Sequence, residues 1–298
     1  MADLLAPQFQ NPDAAREYLE ALRWPDGQVC PHCGSVKEHY ALQGKSHRAG
    51  LWKCKDCRKQ FSVIVGTVFS DSKVPLNKWL LVAHLMCASK KAVSAHQIHR
   101  MIGVTYKTAW FMCHRVREAM KSAGGLLGSG GGTVEADETF WGSSKSKPKG
   151  ARGYEHKMKV VSLVDRSGEK RSFHVQRVTT NTLRPILEAH VSPTATLNTD
   201  DASVYKTIAP AFAQHNIVVH SRGEYRRGKA STNSVECTFS LLKRGPIGTC
   251  HHVGEQHLQR YVTEFDFRWN HRKETDRERS DHLLMQLSGK RLTYRVGA

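Results

Sequence analysis

No run of the 298-residue sequence approaches the roughly 18 consecutive apolar residues needed to cross a bilayer. Residues 1–12 lack the basic-then-apolar pattern of a secretory signal. Both absences predict a soluble protein of the cytoplasm. Acidic residues are also scarce, 27 Asp and Glu against 45 Lys and Arg, a formal charge of +18 before any of the 17 histidines is counted. The excess is not a tail, because the chain up to Gly132 and the chain after it each carry +9. Positive charge spread over both halves points to an extended polyanion as partner, since each neutralised phosphate releases counterions. No internal repeat is visible, and 39% apolar residues exclude wholesale disorder in a length that suits two domains or a module joined to a larger core.

What is present begins with eight cysteines, which without an export signal are expected as thiols rather than disulfides. Cys30-Pro31-His32-Cys33 and Cys54-Lys55-Asp56-Cys57 form two C-x-x-C knuckles with twenty residues between them. That spacing lets two tight turns place four thiolates tetrahedrally around zinc. Four protein ligands leave no open position, so the ion is expected to hold a small domain together and to take no part in catalysis. Cys87, Cys113, Cys237 and Cys250 have no such spacing.

Helical patterning follows from residue 75 to residue 121. Ser94 is a plausible cap for a segment that ends at Gly103, and another segment starts at Thr105. Helix, short glycine-containing turn and helix is the helix-turn-helix layout, whose second helix enters the major groove. Tyr106, Lys107 and Thr108 stand at the front of that helix. The run 122–132 is a Gly-rich linker by composition, and 143–159 is a second basic stretch. Its Lys145, Lys147, Lys149 and Arg152 are either a solvated loop or a holder of nucleic-acid phosphates.

After the linker the patterning predicts strands over 133–141, 159–165 and 171–178, a helix over 182–190 and a strand over 195–199. A helix over 202–213, a strand over 216–220 and a helix over 232–244 complete the order. That is the order of a ribonuclease-H-like α/β fold, a mixed sheet flanked by helices. Such folds place acids on the first strand, beside the fourth strand and on the last helix, and Asp137, Asp200 and Glu236 occupy those places. Like charges repel in one site unless a cation neutralises them, and hard oxygen ligands suit Mg2+ or Mn2+. Glu135 shares a strand face with Asp137, Glu138 faces the other way, and Asp201 adjoins Asp200. Asn233, Glu236, Ser240 and Lys243 share one face of the late helix, with Val235, Phe239 and Leu242 on another. Lys243 would aim a cation at a phosphate near the cut, with Arg226, Arg227 and Asn233 as further DNA contacts. A final amphipathic helix is expected over 254–273.

Three stretches then resemble the ISXO-like insertion-sequence transposases: Val134 through Gly142, Asn198 through Tyr205, and Thr232 through Gly245. The amino-terminal part is similar to theirs as well, and the likeness covers roughly residues 15 to 290. It implies a zinc ribbon and helix-turn-helix ahead of a catalytic core, with Asp137, Asp200 and Glu236 as the metal-binding triad and Lys243 as its basic companion. Some relatives carry Asn at the third position, a duty Asn233 could share. The expected organisation is an amino-terminal helix and zinc ribbon over 1–68, a helix-turn-helix over 69–121, the linker over 122–132 and the catalytic domain over 133–298. The expected activity is cutting at an element's terminal inverted repeats and joining of 3′ hydroxyls to target DNA. A nucleoid-associated dimer or larger assembly would do this on double-stranded DNA, with no membrane partner. A metal-dependent nuclease of the same fold and a zinc-containing DNA-binding regulator are the alternatives.

Overall fold

The computed structural model describes residues 4–122, 124–142, 153–224, 226–228, 230–250 and 252–293. The chain divides into two compact units, 1–120 together with 273–298, and 121–272.

The first unit opens with α1 (Pro7–Gln10) and α2 (Pro12–Arg23), where the Asn11 side chain accepts the Asp13 amide at 2.7 Å and so caps α2. A small antiparallel sheet follows, β1 (Tyr40–Ala41), β2 (Trp52–Lys53) and β3 (Gln60–Phe61). Its only large buried side chain is Phe61, packed edge-on against Trp24 at 5.9 Å. Three helices come next: α3 (Leu76–Ala88), α4 (Ala95–Ile102) and α5 (Tyr106–Ala119). Ser94 caps α4, Gly103 ends it in the left-handed conformation at φ 64°, and Thr105 caps α5 two residues later. Ala109, Met112, Cys113 and Val116 form the buried stripe of α5.

The second unit is built on β4 (Thr133–Trp141), β5 (Met158–Asp165), β6 (Lys170–Val175), β7 (Thr196–Thr199) and β8 (Gln214–Ile217). The sheet order is β6-β5-β4-β7-β8, with the first three strands antiparallel and β7 and β8 parallel to β4. It is a mixed α/β sheet with helices on both faces. On one face α6 (Thr180–His190) and α7 (Ser203–Ile208) pack Leu183, Leu187 and Tyr205 against Val134, Ala136 and Leu197. A hairpin of β9 (Arg226–Arg227) and β10 (Ala230–Ser231) leads into α8 (Asn233–Thr249), whose Val235 and Phe239 pack with Val164 on the other face. Helix α9 (Leu258–Asn270) closes the edge of β6. The amides of Lys170, Ser172 and His174, every second residue of that strand, donate to Asn270, Asp266 and Gln259 at 2.6–2.7 Å. Side chains of one helix thus take the groups a bare edge strand would offer to another chain.

Two features differ from the sequence expectation. The glycine-rich run is packed against the sheet rather than a free linker. Leu127 is buried in the core and exchanges backbone hydrogen bonds with His190 and Ser192, while the Gly128 amide donates to Asp165 at 2.6 Å. A Cβ on Gly128 would lie 2.6 Å from Ala195 Cβ, so glycine there permits close approach as well as bending. The carboxy-terminal segment also divides differently from 133–298, since the last helix, α10 (Asp276–Met285), belongs to the first unit. A reciprocal Thr275–Glu278 capping box starts it, the Tyr18 hydroxyl donates to Asp281 at 2.6 Å, and Arg279 donates to the Cys87 carbonyl at 2.6 Å. Among the described residues no helix is long and apolar enough to cross a membrane.

Candidate active site and metal centre

Alternation along β4 divides its acids between the two faces of the sheet. Glu135 is fully buried under α8, where its carboxylate accepts the Ser234 amide at 2.9 Å, the Val235 amide at 3.2 Å and Arg166 Nε at 3.2 Å. The first-turn amides of a helix have no partner within it, so this carboxylate anchors α8 to the central strand. That engagement distinguishes Glu135 from Asp137, its neighbour on the same face.

Asp137 lies two residues further along. The parallel register pairs Thr133, Val134 and Glu135 with Thr196, Leu197 and Asn198, so Asp200 stands two residues beyond Asn198 just as Asp137 stands two beyond Glu135. Carrying that register on sets the two carboxylates side by side on the face covered by α8. Glu236 projects from the first turn of α8; its Oε1 accepts the Thr232 hydroxyl at 2.8 Å and lies 3.2 Å from His220 Nε2.

The electrostatics join the three. Burial first, then the charges of Glu138, Asp200 and Glu236, push Asp137 up to about 8 against the opposing hydrogen bond from the Glu138 amide. Burial also raises Asp200, which the adjacent Asp201 reinforces and the Ala202 amide and His220 oppose. The three carboxylates are not among the described groups whose ligand atoms all lie within 4.8 Å of one another. Among the described residues no Lys or Arg is among the charges that act on Asp137.

Two neighbours carry no motif that spacing could single out. Glu138, on the opposite face, accepts the hydroxyl of the fully buried Tyr205 at 2.7 Å; burial raises the carboxyl, and burial beside Glu138 raises the phenol well above its ordinary value. His220 connects Glu236 and Thr232 from a short turn three residues beyond β8, and only its place at the end of an expected strand could have marked it. Lys243 lies seven residues beyond Glu236 on the same continuous helix, half-buried and with no polar partner among the described residues. Asn233 is exposed at the start of α8, and Arg226 is exposed on β9. The Arg227 side chain, and Lys145, Lys147, Lys149 and Arg152, lie outside the described residues.

In the first unit the two knuckles meet. The four thiols of Cys30, Cys33, Cys54 and Cys57 all lie within 4.8 Å of one another, with Cys30–Cys57 and Cys33–Cys54 at 3.7 Å. Zinc–sulfur bonds of about 2.3 Å in a tetrahedron require sulfurs about 3.8 Å apart, so the set fits a structural zinc ion. The knuckles are built alike: the Cys30 amide donates to Ser35 and the Gly34 amide to Cys30, as the Cys54 amide does to Lys59 and the Arg58 amide to Cys54. Cys87 and Cys113 are buried in α3 and α5, Cys237 is exposed and Cys250 half-buried. At the front of α5 the Tyr106 ring is 43% exposed and stacks on His96 at 4.1 Å. Lys107 beside it is exposed, while Thr108 contributes its amide and hydroxyl to the Thr105 cap.

Comparison with known proteins finds a matching domain in each unit. Residues 129–270 match the ISXO2-like transposase domain, and residues 10–60 match the transposase zinc-ribbon domain. The chain is also 28% identical over 277 residues to an uncharacterized protein in transposable element ISH50 of Halobacterium salinarum, a match spanning 87% of this chain and 91% of that one. The chain thus carries an ISXO2-like transposase domain behind a transposase zinc-ribbon domain.

Proposed function

We propose that the protein is an insertion-sequence transposase that binds the terminal inverted repeats of its element, hydrolyses a phosphodiester to free a 3′ hydroxyl, and joins that hydroxyl to target DNA by in-line displacement. The reading rests on one arrangement: Asp137, Asp200 and Glu236 come from a central strand, a neighbouring strand end and a covering helix, and burial, then the repulsion of Glu138, Asp200 and Glu236, holds Asp137 up at about 8. Such a carboxylate set fits Mg2+ or Mn2+, because hard divalent cations take oxygen ligands and relieve that repulsion. When bound, the ions would polarise the scissile phosphate and neutralise charge on the attacking and leaving oxygens.

The remaining roles belong to the chain. Glu135 fixes the first turn of α8 and with it the direction from which Glu236 approaches. Lys243, further along that helix, meets a phosphate beside the cut, and Arg226 and Asn233 contact the backbone at the helix start. The order β6-β5-β4-β7-β8, with its antiparallel meander followed by parallel strands, supports a ribonuclease-H-like core. Helix α4, the Gly103 turn and α5 act as a helix-turn-helix in this reading, with Tyr106 and Lys107 at the major groove and Thr108 holding the cap. The zinc ribbon works beside it as a DNA-positioning module, and two ends are brought together by at least a dimer.

The test is strand transfer with Mg2+ on duplexes carrying the element's ends. Wild-type protein yields joined product, whereas Asp137→Ala and Glu236→Ala proteins that stay folded yield none. Undiminished product from either variant removes the triad, and cut ends that are never joined to a second duplex make the protein a nuclease.

A further inference from the structure

We propose that a second site beside the start of α8 holds one phosphodiester of the DNA backbone between Arg166, Arg226 and Arg272; this rests on the DNA reading above. The site is a cavity of about 330 Å³ on the α8 face of the sheet, walled by those three guanidinium groups together with Ser231, Asn233 and Ser234.

The acids in its wall are already engaged. Glu135 is fully buried and bound by two α8 amides and Arg166, while Asp165 accepts the Ser167 amide at 2.8 Å and the Gly128 amide at 2.6 Å. Two of the three cations have no acidic partner among the described residues. Among the described residues Arg226 donates only to the Gly228 carbonyl at 2.8 Å, and Arg272 donates to the carbonyls of Gly168 at 3.0 Å and Trp269 at 2.7 Å. Neither has a carboxylate partner among the described residues. The third, Arg166, bonds Ser231 through Nη2 at 2.9 Å and remains 35% exposed.

Glu135 offsets only Arg166, so three guanidinium groups in one concavity leave an excess of positive charge, and an anion between them removes that repulsion. Guanidinium forks match phosphate oxygens in pairs, so the anion indicated is a phosphate ester. Arg272 is held for that purpose, its guanidinium stacked 4.3 Å above the Trp269 ring and its Nη2 close enough that a Cβ on Gly168 would lie 3.2 Å away. The amides of the α8 first turn contribute little, because Glu135 takes them. Asn233 in the wall precedes Glu236 by three residues, about 4.5 Å along the helix axis. A strand gripped here would therefore reach the acidic site within a short span of backbone.

The experiment measures binding of the intact, zinc-loaded protein to a fluorescein-labelled mixed-sequence duplex across a range of KCl concentrations. A wild-type plot of log affinity against log salt should be steeper than that of an Arg226→Gln/Arg272→Gln protein by about 0.9, the contribution of one phosphate. Arg272 also braces the Gly168 turn, so Arg226→Gln alone is measured too. Arg226 is exposed and bonded only within its own hairpin, and its replacement should leave the fold intact while lowering the slope by part of that amount. Wild-type slopes in both variants overturn the proposal. Calorimetric binding of inorganic phosphate that the double variant loses, with unchanged duplex slopes, assigns the cavity to free phosphate and overturns it as well. A wild-type protein that binds no duplex overturns this site and the DNA reading together, whereas loss of strand transfer in Asp137→Ala beside unchanged slopes in the arginine variants leaves the DNA reading standing and removes only the cavity.

Discussion

Four thiols in the first unit close to within 4.8 Å of one another, whereas the three carboxylates of the second do not all come that near. The thiols sit on two copies of one local turn, at a spacing that a single ion would fill. The acids belong to a strand, a strand end and a helix that meet only through the sheet, so their separation is set by the fold rather than by one local turn. Closure is what a structural ion requires, while an open coordination sphere is what chemistry requires. Stability should therefore depend on a metal in the first unit, and suffer from a missing metal in the second.

The largest effect tests the first half of that statement. Zinc binding to small metal-dependent domains contributes on the order of 10 kcal/mol to folding, and the β1–β3 sheet has only Phe61 as a large buried side chain. Cys54→Ser, or chelation of the wild-type protein, should abolish amide-exchange protection over residues 30–61 and leave that of β4 to β8 unchanged. Equal loss in both sheets would break the contrast.

Glu135→Ala comes next, because it leaves two helix amides and Arg166 without their acceptor inside a buried site. Breaking such a cluster costs about 3–5 kcal/mol, read from denaturant unfolding, and exchange should quicken in the first turn of α8 before the sheet itself opens. Glu135→Gln, which keeps an acceptor oxygen, should lose less.

Asp137→Asn should act in the opposite direction. With Asp137 held at about 8, the folded protein retains a proton that the unfolded chain releases near pH 4. Metal-free wild-type protein therefore loses stability as pH rises from about 4 to about 8, by an amount on the order of a few kcal/mol that is complete above that range. The asparagine variant escapes this loss, so its melting temperature should exceed wild type at pH 8 and equal it below pH 4. Mg2+ at pH 8 should narrow the gap by stabilising the wild type alone. A variant less stable than wild type at pH 8 would mean that Asp137 is not under strain.

These contrasts were unevenly legible in the sequence. The knuckles could be read because each is six consecutive residues whose chemistry is local, and the alternation around Asp137 placed it on a buried face. The apolar neighbours Val134, Ala136 and Phe140 favoured Asp137 over Glu135 in the sequence, whereas the bonding of Glu135 to α8 was visible only once that helix was seated. Glu138 with Tyr205 and His220 with Glu236 are pairs distant in sequence that no spacing rule links. The glycine run misled by composition, because glycine serves close packing at Gly128 as readily as it serves a linker. Helix α10 escaped notice because its charged, weakly patterned face depends on the capping box and on partners such as Tyr18 far away in sequence.

The smallest effect separates the two knuckles themselves. Both need a left-handed residue after their second cysteine, and Gly34 supplies it at φ 75° while Arg58 does so at φ 59°. Nothing lies within 4 Å of a Cβ placed on Gly34, so Gly34→Ala introduces backbone strain without a clash. Left-handed conformation costs a non-glycine residue about 1 kcal/mol, partly offset by the lower entropy of the unfolded alanine chain. Zinc affinity in a competition titration should fall less than about tenfold for this variant, and Arg58→Gly should shift it by a comparable or smaller factor the other way. Opposite signs from equivalent positions would show that the turns are interchangeable in mechanics and differ only in which residue bears the strain; equal signs would mean that the Arg58 side chain stabilises its knuckle by a contact of its own.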